Sequence, residues 1–171
     1  MALPQPFTTA APAIASYNYT DIVDGTGVAV YYGNVNEASS ISYFLGTSAF
    51  TVATCYTSGA TMDLTPFATP RTVKGTAILS FYVNASSGAR GNVKLQKVDG
   101  VTAAVTDISS TIQSEARSAL GSLCLKIPLT ETLFAQGDIL RLVYTQTGSC
   151  SLTFNNPSYP LILNVPYKLD L

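Results

Sequence analysis

The sequence predicts an all-β fold, an antiparallel β-sandwich with an extended N-terminal arm. Three observations lead there. Short apolar segments alternate with polar residues as far as Leu171, and the chain is 47% hydrophobic but only 11% charged. Turn-forming runs of Gly, Asn, Asp, Ser and Pro separate these segments, at the spacing of roughly 8–12 residues typical of sandwiches and barrels. No segment keeps a helical period long enough to cross between parallel strands, so the sheets should be mainly antiparallel.

Residues 1–16 (MALPQPFTTAAPAIAS) have no periodicity, and Pro4, Pro6 and Pro12 block a helix and favour extended chain. They are predicted to be an arm, either a disordered tail or an extended segment laid on a neighbour. Residues 17–171 are predicted to be a single domain. Tyr17, Tyr19, Asp21 and Val23 share one parity before the Asp24-Gly25 turn, and Gly27–Gly33 (GVAVYYG) is a short strand rich in β-formers. Ile41–Leu45 and Phe50–Tyr56 follow, and residues 58–71, with Pro66 and Pro70, read as a connection. Thr72–Asn84 is the longest strand candidate. Its centre, Ala77–Val83, is apolar on both parities, which predicts a central strand covered on both sides, with a bulge or bend at Gly75.

Asn92–Val98 and Val101–Ile108 flank Asp99-Gly100, the signal for a two-residue hairpin. Glu115–Leu120 could form a helical turn stopped by Gly121. Leu123, Leu125 and Ile127 alternate with Cys124 and Lys126 in a half-buried strand that Pro128 is expected to end. A tight turn over Leu133–Asp138 feeds Ile139–Thr145. Cys150, Leu152 and Phe154 then share a face, so Cys150 should face the core more than Cys124 does. Leu161, Leu163, Val165, Tyr167 and Leu169 share another face. Pro166 places this last strand at an edge, or turns position 166 away from a partner.

Composition excludes several classes of function. Histidine is absent, so neither a Ser-His-Asp nor a Cys-His arrangement can be built from this chain. The three cysteines, Cys55, Cys124 and Cys150, lie far apart and lack metal-ligand spacing, so they are expected to be structural thiols rather than a zinc site. Of these only Cys124 has a base close in sequence, Lys126. Asp21 and Asp24 offer too few oxygens for calcium, and turn chemistry explains Asp24-Gly25. The nine basic residues are scattered, which argues against nucleic acid and against a polybasic membrane patch. No apolar run reaches the roughly 20 residues of a membrane helix, and the N-terminus lacks the pattern of a secretory signal. No cofactor, metal or catalytic residue is expected. Asn18-Tyr19-Thr20 and Asn84-Ala85-Ser86 match the glycosylation triplet, a pattern short enough to arise by chance.

The low charge carries a positive implication. Soluble domains average about a quarter charged residues, whereas interfaces are depleted of charge. Much of this surface is therefore expected to be covered, by copies of the chain or by another protein. Ten tyrosines fit that surface, as core and interface residues or as a stacking platform for sugars, although sugar-binding modules favour the tryptophan that is absent.

The run Leu129–Leu142, LTETLFAQGDILRL, resembles the penultimate hairpin of jelly rolls, in which a Gly-Asp turn enters a long core strand, and residues 72–98 resemble a core strand pair. With its Asp21–Gly33 opening and its Val165–Leu171 ending, the chain resembles the small structural proteins of tailed bacteriophages, above all the capsid decoration or cement proteins. The resemblance implies a sandwich of jelly-roll type and no enzymatic activity. It implies capsid proteins and further copies of the chain, as a trimer, for partners, on a virion surface after synthesis in the host cytoplasm. Pro4, Pro6, Phe7, Pro12 and Ile14 of the arm become the candidate partner-binding residues. The rival expectation is a carbohydrate-binding or host-adhesion module of a phage fibre.

Overall fold

The computed structural model describes residues 26–35, 43–47, 55–85, 88–154 and 158–168. They form twelve strands: β1 (Thr26–Val35), β2 (Tyr43–Gly46), β3 (Cys55–Thr57), β4 (Ala60–Leu64), β5 (Arg71–Ala85), β6 (Arg90–Val98), β7 (Val105–Asp107), β8 (Ile112–Gln113), β9 (Gly121–Phe134), β10 (Ile139–Thr147), β11 (Cys150–Phe154) and β12 (Ile162–Lys168). The all-β expectation holds. There is no helix among the described residues, and the predicted helical turn at Glu115–Leu120 is instead a single bridge, in which the Arg117 amide bonds to the Ala89 carbonyl at 2.8 Å, followed by bends over residues 118–120.

The ladder folds into two opposed layers. One layer runs β1-β12-β5-β9, with β11 and β3 attached beside the C-terminal half of β5. The other runs β4-β10-β6, with β7 and β8 both pairing β6. All pairs are antiparallel except β2–β4, a two-pair parallel contact that joins the layers. Phe81 of β5 and Tyr144 of β10 are not ladder neighbours, yet their rings meet edge to face at 6.0 Å. The layers therefore face one another across a single core, which holds Leu79, Phe81, Leu95, Ile127, Leu140, Leu142 and Leu163, all essentially without solvent exposure. In sequence, β4, β6 and β10 of one layer interleave with β5, β9 and β12 of the other, so the chain crosses repeatedly between the layers.

Several local expectations need correction. Residues 58–71 are not merely a connection: Ala60, Met62 and Leu64 turn inward and make β4, while Asp63 on the opposite face pairs with Arg141. The central strand β5 is covered on one side only. Val73, Ala77, Leu79, Phe81, Val83 and Ala85 are buried, whereas Ile78 is 39% exposed. Pro128 does not end β9. That strand has only β5 as its ladder neighbour, so a residue without an N–H is tolerated, and the register slips just beyond it, opposite Gly75. The predicted irregularity at Gly75 is thus present, with φ at +113°.

Pro166 does not mark an edge. β12 is paired on both sides, and the pairing with β5 is interrupted between Asn164 and Tyr167, around the residue that cannot donate. Asp99-Gly100 is not a two-residue turn either. Val98 pairs with Val105, and the loop between them is capped by the Asp99 carboxylate, which accepts from the Val101 and Thr102 amides at 3.0 and 2.7 Å. Gly100 is needed for a close approach: a Cβ there would lie 2.3 Å from the Gly137 carbonyl oxygen. The arm and the expected Tyr17–Val23 strand lie outside the described residues.

Candidate interaction face

Period-2 alternation gives each layer one face toward the core and one away from it. The outer face of the β1-β12-β5-β9 layer is built in rows set by the ladder. Val30 stands opposite Asn164, Asn164 opposite Ile78, and Ile78 opposite Lys126. In the next row Tyr32 stands opposite Ile162, Ile162 opposite Ser80, and Ser80 opposite Cys124. Val28 and Pro166 extend the surface beyond. Val30 and Ile78 are each 39% exposed, and Val28, Tyr32, Ile162 and Pro166 are half-buried.

The four strands carry four bases, Arg71, Lys74, Lys126 and Lys168. The four strands contain one acid, Glu131, and its carboxylate meets Lys74 at 3.3 Å near one end. Lys126 and Lys168 are exposed and make no ion pair among the described residues. Strand addition along the open side of β9 is poorly provided for. The Arg117 guanidinium donates to the Ser122 carbonyl at 3.3 Å, the Thr130 amide donates to the Ile108 carbonyl at 2.8 Å, and Pro128 has no donor. The broad face, rather than the edge, is what this layer presents.

The opposite outer face, on β4-β10-β6-β7, is polar and internally bonded. Arg141 makes a two-pronged contact with Asp63 at 2.6 and 2.8 Å. Those bonds from the Asp63 carboxylate raise the Arg141 guanidinium above its ordinary pKa. Gln96 and Lys94 both donate to Asp107, at 2.6 and 3.0 Å, and together hold its carboxyl below the usual range, the Gln96 bond contributing most. Asn92 donates to Thr147 and accepts from Gln113, each at 3.0 Å.

At one end of the core, Asp138 accepts from the Gly100 and Ala135 amides at 3.0 and 2.6 Å and pairs with the Lys97 ammonium at 2.7 Å. Burial alone would push this carboxyl up; the bonds from Lys97, Gly100 and Ala135 outweigh it and hold the group below the usual carboxylate range. Deeper in, the hydroxyls of Tyr31 and Tyr167 share a 2.9 Å hydrogen bond, and burial pushes both phenols up. These are structural pairings closed off from solvent.

The candidate partner-binding residues Pro4, Pro6, Phe7, Pro12 and Ile14 lie outside the described residues, as do Asp21 and Asp24. No group of three or more His, Cys, Asp or Glu side chains stands ready for a metal among the described residues. Cys150 is buried, as its parity implied, with its sulfur 3.3 Å from the Tyr144 hydroxyl, and Cys124 is exposed. Sequence reasoning did not single out Val30, Ile78, Cys124 and Lys126 as one surface. The signal is present in the two-sided apolar run Ala77–Val83, a pattern that cover by a second layer and cover by a partner produce alike.

No protein-family model and no curated protein matches the sequence. Solved structures do share the fold. A CocE/NonD family hydrolase from Staphylococcus aureus superimposes with a TM-score of 0.66 at 10% identity, over 84% of this chain and 37% of that one. An aminopeptidase from the marine sediment archaeon Thaumarchaeota archaeon gives 0.67 at 9% identity, over 85% and 37%. An α-amino acid ester hydrolase gives 0.56 at 10% identity, over 65% and 26%. The chain spans between about a quarter and little more than a third of these proteins' length. At such identities the likeness is one of fold.

Proposed function

We propose that this chain is a non-catalytic structural protein of a virion, which binds a capsid shell and stabilises it as a decoration or cement protein. The observation that carries this reading is the outer face of the β1-β12-β5-β9 layer, where exposed Val30 and Ile78 share a row with Lys126, which makes no ion pair among the described residues, whereas the charged side chains Arg141, Asp63, Lys94 and Asp107 of the opposite face bond to one another. The low overall charge supports it, as does the absence of histidine. Copies that bind only the assembled shell favour assembly by mass action, and a trimer would add effective concentration to each contact. The likeness to hydrolases supports a shared scaffold, and scaffolds of this kind host many unrelated roles.

The test mixes the purified full-length chain with capsid shells lacking it and measures co-sedimentation and shell melting. Saturable binding with a raised shell melting temperature is expected, with no turnover of ester or peptide substrates by the chain alone. Absence of binding, or steady turnover, overturns the proposal. One observation favours the rival carbohydrate-binding or host-adhesion reading: the rings of Tyr82 and Tyr159 lie 4.7 Å apart, both half-buried. Specific retention on a glycan array, lost in Tyr82→Ala, would select it.

A further inference from the structure

We infer that the outer face of the β1-β12-β5-β9 layer docks a surface of a different protein, apolar at its centre and carrying carboxylates that meet Lys126 and Lys168. This rests on the shell-binding reading and adds the chemistry of the partner. Ladder register puts Lys126 at the end of the row Val30, Asn164, Ile78, so a cation stands directly beside the exposed Ile78. Lys168 stands at the end of β12 on the same face.

A second copy of the chain cannot complement this surface through the same face. Its four strands supply no free carboxylate, because Glu131 is engaged by Lys74. Two such faces stacked on each other would bring lysine toward lysine with nothing to neutralise them. Like charges at an interface disfavour the wrong partner, and a desolvated lysine needs an acceptor. A symmetric pairing through this face is therefore disfavoured, and Lys126 and Lys168 select a partner that brings carboxylates of its own.

Cys124 supplies a probe already in place. It is exposed, and it lies in the row beside Lys126, whereas Cys150 is buried and serves as an internal reference. The experiment uses the full chain and capsid shells lacking it. Shell affinity is measured by co-sedimentation for the wild type, Lys126→Glu, Lys126→Gln and, on the opposite face, Thr61→Glu. In parallel, alkylation of Cys124 is followed by peptide mass mapping with and without shells.

Lys126→Glu should weaken binding about tenfold or more, Lys126→Gln less, and raised salt should weaken the wild type, as for a charge pair at an interface. Thr61→Glu should bind as the wild type does, and shells should slow Cys124 alkylation severalfold. Wild-type binding that ignores both Lys126 variants and leaves Cys124 open overturns this inference while the shell-binding reading stands. Failure of the wild type to bind at all overturns both. Protection of Cys124 without shells that grows with protein concentration would place a second copy on the face; protection at every concentration would place another segment of the same chain there. Either result overturns the inference.

Discussion

The two outer faces of this protein are made by the same alternation of inward and outward residues, yet they leave different things for a partner. On the β4-β10-β6-β7 side, the long polar chains are spent on one another: Arg141 on Asp63, Gln96 and Lys94 on Asp107, Asn92 on Gln113 and Thr147. Docking there would have to break bonds already made. On the β1-β12-β5-β9 side, Val30, Ile78 and Ile162 offer apolar area, and Lys126 offers a charge that no described residue pairs. Covering apolar surface releases roughly 25 cal/mol for each Å² removed from water, and nothing in this face has to be undone first.

If one core joins the two faces, its loss should loosen both layers together. Phe81 of β5 packs on Tyr144 of β10 and is almost fully buried. Phe81→Ala is expected to cost about 3–5 kcal/mol, read as a lower urea midpoint. Amide exchange in β5 and β6 should accelerate to the same degree. Acceleration confined to β5 would mean that the layers are separate folding units, and the comparison of faces would become one of independent parts.

The next effect tests the clamp between the layers. Lys97 of β6 pairs with Asp138 and also donates to the Leu133 carbonyl of β9, so one ammonium ties the two layers together. Asp138→Asn should cost about 2–3 kcal/mol at pH 7, because it leaves a largely buried ammonium without its counter-charge. The folded-state pKa of Asp138 is lowered, so its contribution is complete above the ordinary carboxylate value, about 3.9, and is lost as pH falls through the folded value. The gap between wild type and variant in urea midpoint should therefore narrow below about pH 4. A gap that stays constant from pH 7 to pH 3 would show that the charge contributes nothing.

Smaller still is the link within the polar face. Arg141 and Asp63 are partly exposed, so a double-mutant cycle with alanine should give a coupling of about 0.5–1 kcal/mol that shrinks in high salt. A coupling of zero would mean that this face is polar without being knit together, and its contrast with the other face would weaken.

The sequence made the class of fold legible because alternation and turn residues are local signals. Leu123, Leu125 and Ile127 fall on the buried face as their parity implied, and so do Leu161, Leu163, Val165 and Tyr167. What failed depended on neighbours distant in the chain. Asp99-Gly100 carries a hairpin signature, but Gly100 is there to let Gly137 approach, 37 residues away in the chain and unseen from the dipeptide. The edge reading of Pro166 gives way to its alternative, a position without a partner on β5, because a bulge opposite it cannot be read from β12 alone. The face itself was hidden for a related reason. An apolar residue at an outward position, such as Ile78, has the same sequence signature whether a second layer or a partner covers it.

That ambiguity can be tested with one substitution made twice. Threonine is as good a β-former as isoleucine or valine, so Ile78→Thr on the β1-β12-β5-β9 face and Val143→Thr on the polar face change burial while sparing strand preference. Ile78 is 39% exposed and Val143 is half-buried. Each variant should stay within about 0.5 kcal/mol of the wild type in urea unfolding, as outward substitutions generally do. Their effects on shell affinity should differ: Ile78→Thr weakens it and Val143→Thr leaves it alone. If Ile78→Thr instead costs about 1–2 kcal/mol of folding stability, the side chain is buried by the molecule itself, since only a group removed from water in the free protein can lose that much on truncation. The β1-β12-β5-β9 face would then be an inner surface of the fold, and the polar face would be the one left to meet a partner.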